Sequence, residues 1–80
     1  MSYHKLKITS QYFYDVCYCN KRFELRKDDR DYKVGDTILL EEYEDGHYTG
    51  RCFLPDRPIH YILRNCPEYG LKKGYCILGW

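Results

Sequence analysis

Apolar and polar residues alternate along most of this chain, with one interruption at helical spacing. Leu6 and Ile8 alternate with Lys5 and Lys7, so Tyr3–Ile8 reads as a first strand. His4 shares their parity and is expected as a partly buried histidine hydrogen-bonded to backbone. Thr9-Ser10 is a helix N-cap signal. Phe13, Val16 and Cys17 follow at i, i+3, i+4, with Tyr12 placed to pair with Val16, which predicts a short helix from about Ser10 to Cys19. Asn20 is suited to end it in the left-handed conformation. Next, Phe23 and Leu25 alternate with Arg22, Glu24 and Arg26, so Lys21–Arg26 reads as a strand with its apolar pair on the buried face.

A loop of interleaved charges then runs to the turn signal Val34-Gly35-Asp36. Thr37–Tyr43 reads as a strand buried on at least one face. Asp45-Gly46 is a hairpin turn, and Tyr48–Leu54 returns from it, with Gly50 marking a bulge or a close backbone approach. Pro55 and Pro58 break the pattern. Ile59–Leu63 is another strand, with Ile59, Tyr61 and Leu63 sharing a face, and Gly74–Trp80 is the last. Five or six strands and one short helix in 80 residues predict a mainly β (α+β) fold. Short turns point to a small closed or nearly closed barrel, which removes exposed edges. No linker or internal repeat divides the chain, so residues 1–80 are expected to form one domain with a thin core.

Composition narrows the chemistry. A net charge of +1 gives no molecule-wide attraction for nucleic acid, so such a site has to be a local patch. The five cysteines (Cys17, Cys19, Cys52, Cys66 and Cys76) are an odd set, with no apolar leader behind the amino terminus. That predicts free thiols, small apolar core residues and a cytoplasmic setting. No run approaches a membrane span. Cys17 and Cys19 lack the paired spacing of a zinc site, and no histidine is placed beside a thiol for covalent catalysis, so neither metal nor cofactor is expected.

The remaining candidate is the charged stretch after the helix. Two readings compete for Arg22, Glu24 and Arg26. In one they lie in solvent as exposed ion pairs worth ~0–1 kcal/mol. In the other they line a cleft where Arg26 presents its fork to a phosphate and Glu24 accepts from an exocyclic amine. Charged strand faces are ordinarily solvated, so pattern alone favours the first. If the fold brings Arg51 near Arg26 and Arg30, three guanidinium groups converge around Glu24, with Tyr48 as a stacking face.

Lys21-Arg22-Phe23-Glu24-Leu25-Arg26, reached from a short helix and followed by a charged loop and Val34-Gly35-Asp36, resembles the G-x-K-x-x-E-x-R signature of ASCH domains in the PUA-like superfamily. Tyr48-Thr49-Gly50-Arg51 and Gly70-Leu71-Lys72-Lys73-Gly74-Tyr75 resemble a short, phage- and prophage-associated branch of unknown function. The resemblance spans nearly the whole chain and departs at the signature glycine, which is Cys19 here. It implies a pseudo-barrel with a cleft beside the helix, RNA or modified-nucleotide binding, and Lys21, Glu24 and Arg26 as cleft residues. Arg30, Tyr48 and Arg51 complete the candidate set. A related enzymatic branch hydrolyses N4-acetylcytidine but carries threonine at the position of Glu24. In a hydrolase, Glu24 would act as general base beside Lys21. A protein-interaction role, expected to show an exposed apolar or tyrosine-rich patch, is the third reading.

Overall fold

The computed structural model describes all residues 1–80. The chain forms β1 (Tyr3–Thr9), α1 (Ser10–Tyr18), β2 (Phe23–Lys27), β3 (Thr37–Glu44), β4 (His47–Phe53), β5 (Tyr61–Leu63) and β6 (Tyr75–Gly79), with one 3₁₀ turn at Pro67–Tyr69. The six strands make two three-stranded sheets ordered β1-β3-β4 and β2-β6-β5. The expected mainly β fold with one helix after the first strand is what forms. Closure is not: the two sheets do not merge into one hydrogen-bonded barrel. β1 pairs in parallel with β3, and all other strand pairs are antiparallel.

Even-numbered residues of β1 and β3 face inward, which follows from their period of two. Leu6 opposes Leu40 in register, and both are fully buried. Phe13 and Val16 from α1, and Cys76 and Leu78 from β6, join the same core. Tyr32, set in the charged loop, also belongs to it, and burial pushes its phenol pKa up. The helix ends as Asn20 permits, at φ 57°, and the Lys21 N–H donates back to the Asp15 carbonyl at 3.1 Å. Asp45 and Gly46 both take positive φ, the geometry that a tight hairpin twist requires.

Several expectations are corrected. Phe23 and Leu25 are the exposed face of β2, whereas Glu24 is buried and Arg26 half-buried. Ile59 is buried but precedes β5, and Tyr61 and Leu63 point to solvent while Ile62 packs inward. Of the cysteines only Cys76 is fully in the core; Cys19 and Cys52 are exposed. His4 bonds a carboxylate, not backbone.

That carboxylate is Asp36, which ties the chain start to the turn before β3. It accepts from His4 Nε2 at 2.9 Å, the Ser2 N–H at 3.0 Å and the Lys33 N–H at 3.0 Å. Burial opposes its ionisation, but the bonds from His4, Ser2 and Lys33 outweigh burial and hold its pKa below the ordinary value near 3.8. The folded state therefore favours the deprotonated form. Its stabilisation is complete above the ordinary aspartate range and is lost as pH falls through the lower folded value. Urea midpoints should fall on acidification, and Asp36→Asn should be less stable at neutral pH with a shallower acid decline. Glu42 is held low as well and sustains the remainder. An unchanged acid decline in Asp36→Asn would refute this assignment.

Candidate functional site

β1 is an edge strand, and its free carbonyls need donors. Arg26 Nη1 donates to the Lys7 carbonyl at 2.5 Å, and Arg30 Nη1 donates to the Lys5 carbonyl at 2.9 Å. These two arginines staple the β2 segment to the first sheet in place of a strand ladder. Glu24 and Arg26 also lie opposite Leu78 and Cys76, the buried residues of β6, so the ladder turns this face of β2 inward and the staple seats it against β1.

Glu24 is 4% exposed. Lys21 Nζ donates to its Oε1 at 2.5 Å, and Arg26 Nη1 lies 3.6 Å from its Oε2. One buried carboxylate is thus flanked by two cations. The Lys21 ammonium also lies 5.2 Å from the Tyr12 ring centroid and 4.9 Å from that of Phe23, within cation–π range of both. Tyr12, Asp15, Lys21, Phe23, Glu24 and Leu25 line a cleft of about 420 Å³ between α1 and β2. Asn20 matters here: its left-handed turn brings Lys21 back across the helix end. Cys19, at the signature glycine position, keeps a negative φ of −111°.

A second groove of about 430 Å³ lies near the end of α1, among Val16, Cys17, Tyr18, Asn20, Arg22, Phe53, Leu54 and Asp56. Its charges, Arg22 and Asp56, already pair at 2.7 Å. No buried charge lines it, so the Glu24 cleft is the stronger candidate.

The structure brings Lys21, Glu24 and Arg26 together and sets Arg30 two carbonyls along the same edge. Arg51 does not join them. Its Nε and Nη2 each donate at 2.9 Å to the two oxygens of Glu42, a bidentate pair, and its guanidinium lies 5.2 Å from the Phe13 ring. The Thr49 hydroxyl donates to the same carboxylate at 2.6 Å. Arg51 and Thr49 together outweigh burial and keep the Glu42 pKa below its usual range. Tyr48 stacks beside Tyr43, with ring centroids 5.8 Å apart, and lines neither cleft nor groove.

Sequence reasoning missed Tyr12, Asp15 and Phe23 as cleft walls. Asp15 carried a signal, since it sits off the Phe13–Val16 stripe, and Tyr12 flanks that stripe beside Val16 on the same side as Asp15. Buried Glu42 carried one too, sharing the parity of Ile38 and Leu40. No group of three or more His, Cys, Asp or Glu side chains is placed to hold a metal ion. No helix is long and apolar enough to cross a membrane.

A 48-residue stretch of the chain is 46% identical to the "Uncharacterized 12.9 kDa protein in GpA 3'region" of Escherichia phage P2. The stretch is 60% of this chain and 44% of that protein, so the chain spans less than half the length of this relative. Residues 3–80 match, nearly end to end, the family described as "Domain of unknown function (DUF3850)", and the chain belongs to that family.

Proposed function

We propose that residues 1–80 act as one RNA- or nucleotide-binding domain of the ASCH, PUA-like type, with the Glu24 cleft as the base site. The observation that carries this reading is a buried carboxylate held between Lys21 and Arg26 at the floor of an aromatic-walled cleft. A nucleobase enters beside Tyr12 and Phe23, where stacking is worth ~1–3 kcal/mol per base. Glu24 accepts from its exocyclic amine, and Lys21 donates to a ring carbonyl. Arg30 spends one nitrogen on Lys5 and has donors left for phosphate, as Arg26 does. Arg51 and Tyr48 act outside the cleft, supporting β4.

An amide-shift titration of labelled protein at low salt tests this. Short single-stranded RNA, single-stranded DNA, cytidine and N4-acetylcytidine are added in turn. Shifts should cluster at Tyr12, Asp15 and Lys21–Arg30. No shifts with any of them would overturn the reading in favour of a protein partner.

The 2.5 Å Lys21–Glu24 hydrogen bond also supports a second reading, a hydrolase with Glu24 as base and Lys21 steadying developing negative charge. Water would add to the amide of N4-acetylcytidine and release acetate and cytidine. Release that disappears in Glu24→Gln supports it; no turnover by the folded wild type ends it for this substrate.

A further inference from the structure

The outward face of the second sheet is apolar and uncovered. Strand register aligns Phe23, Gly79 and Tyr61 in one row, Leu25, Ile77 and Leu63 in the next, and Lys27 with Tyr75 in the third. Phe23, Leu25, Tyr61 and Leu63 are all exposed. Beside the third row is a hollow of about 200 Å³ lined by Leu25, Gly70, Leu71, Lys72 and Tyr75. Leu25 lines both this hollow and the Glu24 cleft, so it is the ridge between them.

Charge is distributed unevenly around this face. The Lys72 ammonium lies 5.5 Å from the Tyr75 ring centroid, and neither Lys27, Lys72 nor Lys73 has a carboxylate partner. Unpaired lysines beside a half-buried ring that lines an open hollow fit a polyanion carrying flat bases better than they fit an apolar protein surface. Phe23 and Tyr75 belong to rows four residues apart along β2, on the order of 13 Å at ~3.3 Å per residue. The two rings therefore serve different bases of one strand. Gly70, at φ +97°, leaves open space where any other residue would place a Cβ.

We infer that the hollow is a second base subsite, and that the ligand is a single-stranded oligonucleotide rather than a free nucleoside. The inference rests on the reading of the Glu24 cleft as the first subsite. A base enters over Tyr75 in place of the Lys72 ammonium, which turns to the phosphate, while Lys27 meets the backbone at the ridge.

The test compares cytidine monophosphate with single-stranded hexacytidylate, as RNA and as DNA, on wild type, Lys72→Glu and Tyr75→Ala, with the amide spectrum verifying each fold. The hexamer should bind at least ~10-fold more tightly than the mononucleotide. Lys72→Glu and Tyr75→Ala should each weaken the hexamer ~10-fold or more and leave the mononucleotide unchanged, and the reversal at Lys72 should reduce the salt slope. Equal hexamer and mononucleotide affinity, or variants without effect on the hexamer, overturns the second subsite and leaves the cleft reading standing. No binding of either probe overturns both. Sedimentation showing a wild-type dimer that Tyr75→Ala dissolves, with no preference for the hexamer, assigns the face to a second copy of the chain and overturns the proposal as well.

Discussion

Leu6→Ala is expected to remove about 2–5 kcal/mol of folding stability, the cost of losing a buried side chain and leaving a cavity. Leu6 is fully buried, and its opposite number Leu40 is equally so. β1 also has a fixed inner side: β3 holds one edge in parallel register, and Arg26 and Arg30 hold carbonyls on the other. The strand cannot collapse into the void without stretching one of these attachments, which puts the expected cost in the upper part of the range. An 80-residue domain has roughly 4–12 kcal/mol in total, at ~0.05–0.15 kcal/mol per residue. The substitution consequently takes a large share, and the melting temperature should fall by roughly 4–8 °C per kcal/mol lost. Leu54→Ala is the control, since Leu54 is 58% exposed and should change stability by less than about 0.5 kcal/mol. Denaturant unfolding of both variants decides: a loss below about 1 kcal/mol for Leu6→Ala would show that this core relaxes around the gap.

The same edge of β1 explains why some of the architecture was legible from sequence and the site's orientation was not. Alternation at Leu6 and Ile8, the Phe13–Val16 stripe, Asn20 and Asp45-Gly46 each specify a local conformation through side-chain sterics or spacing. All four appear in the structure as read. For β2, a period of two says which residues share a face but not which face turns inward. Hydropathy places Phe23 and Leu25 inside, yet the inner position goes to Glu24, which pairs with buried Leu78 of β6 while Arg26, opposite buried Cys76, reaches the Lys7 carbonyl. Both partners, β6 and the edge of β1, are far away in sequence. Ile59 and Tyr61 failed for a related reason. Ile59 is held before β5 by backbone bonds to Gly35 and Asp36, so its parity does not continue into Tyr61. Buried Asp36, in the turn before β3, and buried Glu42, within it, have their partners on other elements, at His4 and Arg51, and only the assembled fold supplies them.

Replacing Lys21 and Arg26 together by methionine should cost about 3–5 kcal/mol, because Glu24 is then left buried with neither cation. Each single substitution should cost less, since one cation still faces the carboxylate. The two effects should therefore not add. Introducing Glu24→Leu into the double variant should recover most of the loss: an apolar triad of similar volume satisfies the same space without a buried charge. Arg26→Met also leaves the Lys7 carbonyl without its donor, so recovery should stop short by about 0.5–1.5 kcal/mol, the net contribution of a typical hydrogen bond. If the triad serves only the fold, the apolar version is a nearly complete substitute. If it serves a ligand, stability and binding separate. The triple variant should then fold well yet bind cytidine monophosphate at least ~10-fold more weakly, since each charge-assisted hydrogen bond to the nucleotide is worth about that factor or more. Thermal unfolding and the nucleotide titration, made on the wild type and these variants alike, distinguish the two cases. A triple variant that regains stability and retains full affinity would reduce Lys21, Glu24 and Arg26 to a structural cluster. One that regains stability and loses affinity gives a physical reason for burying a carboxylate between two cations where leucine and methionine would hold the fold.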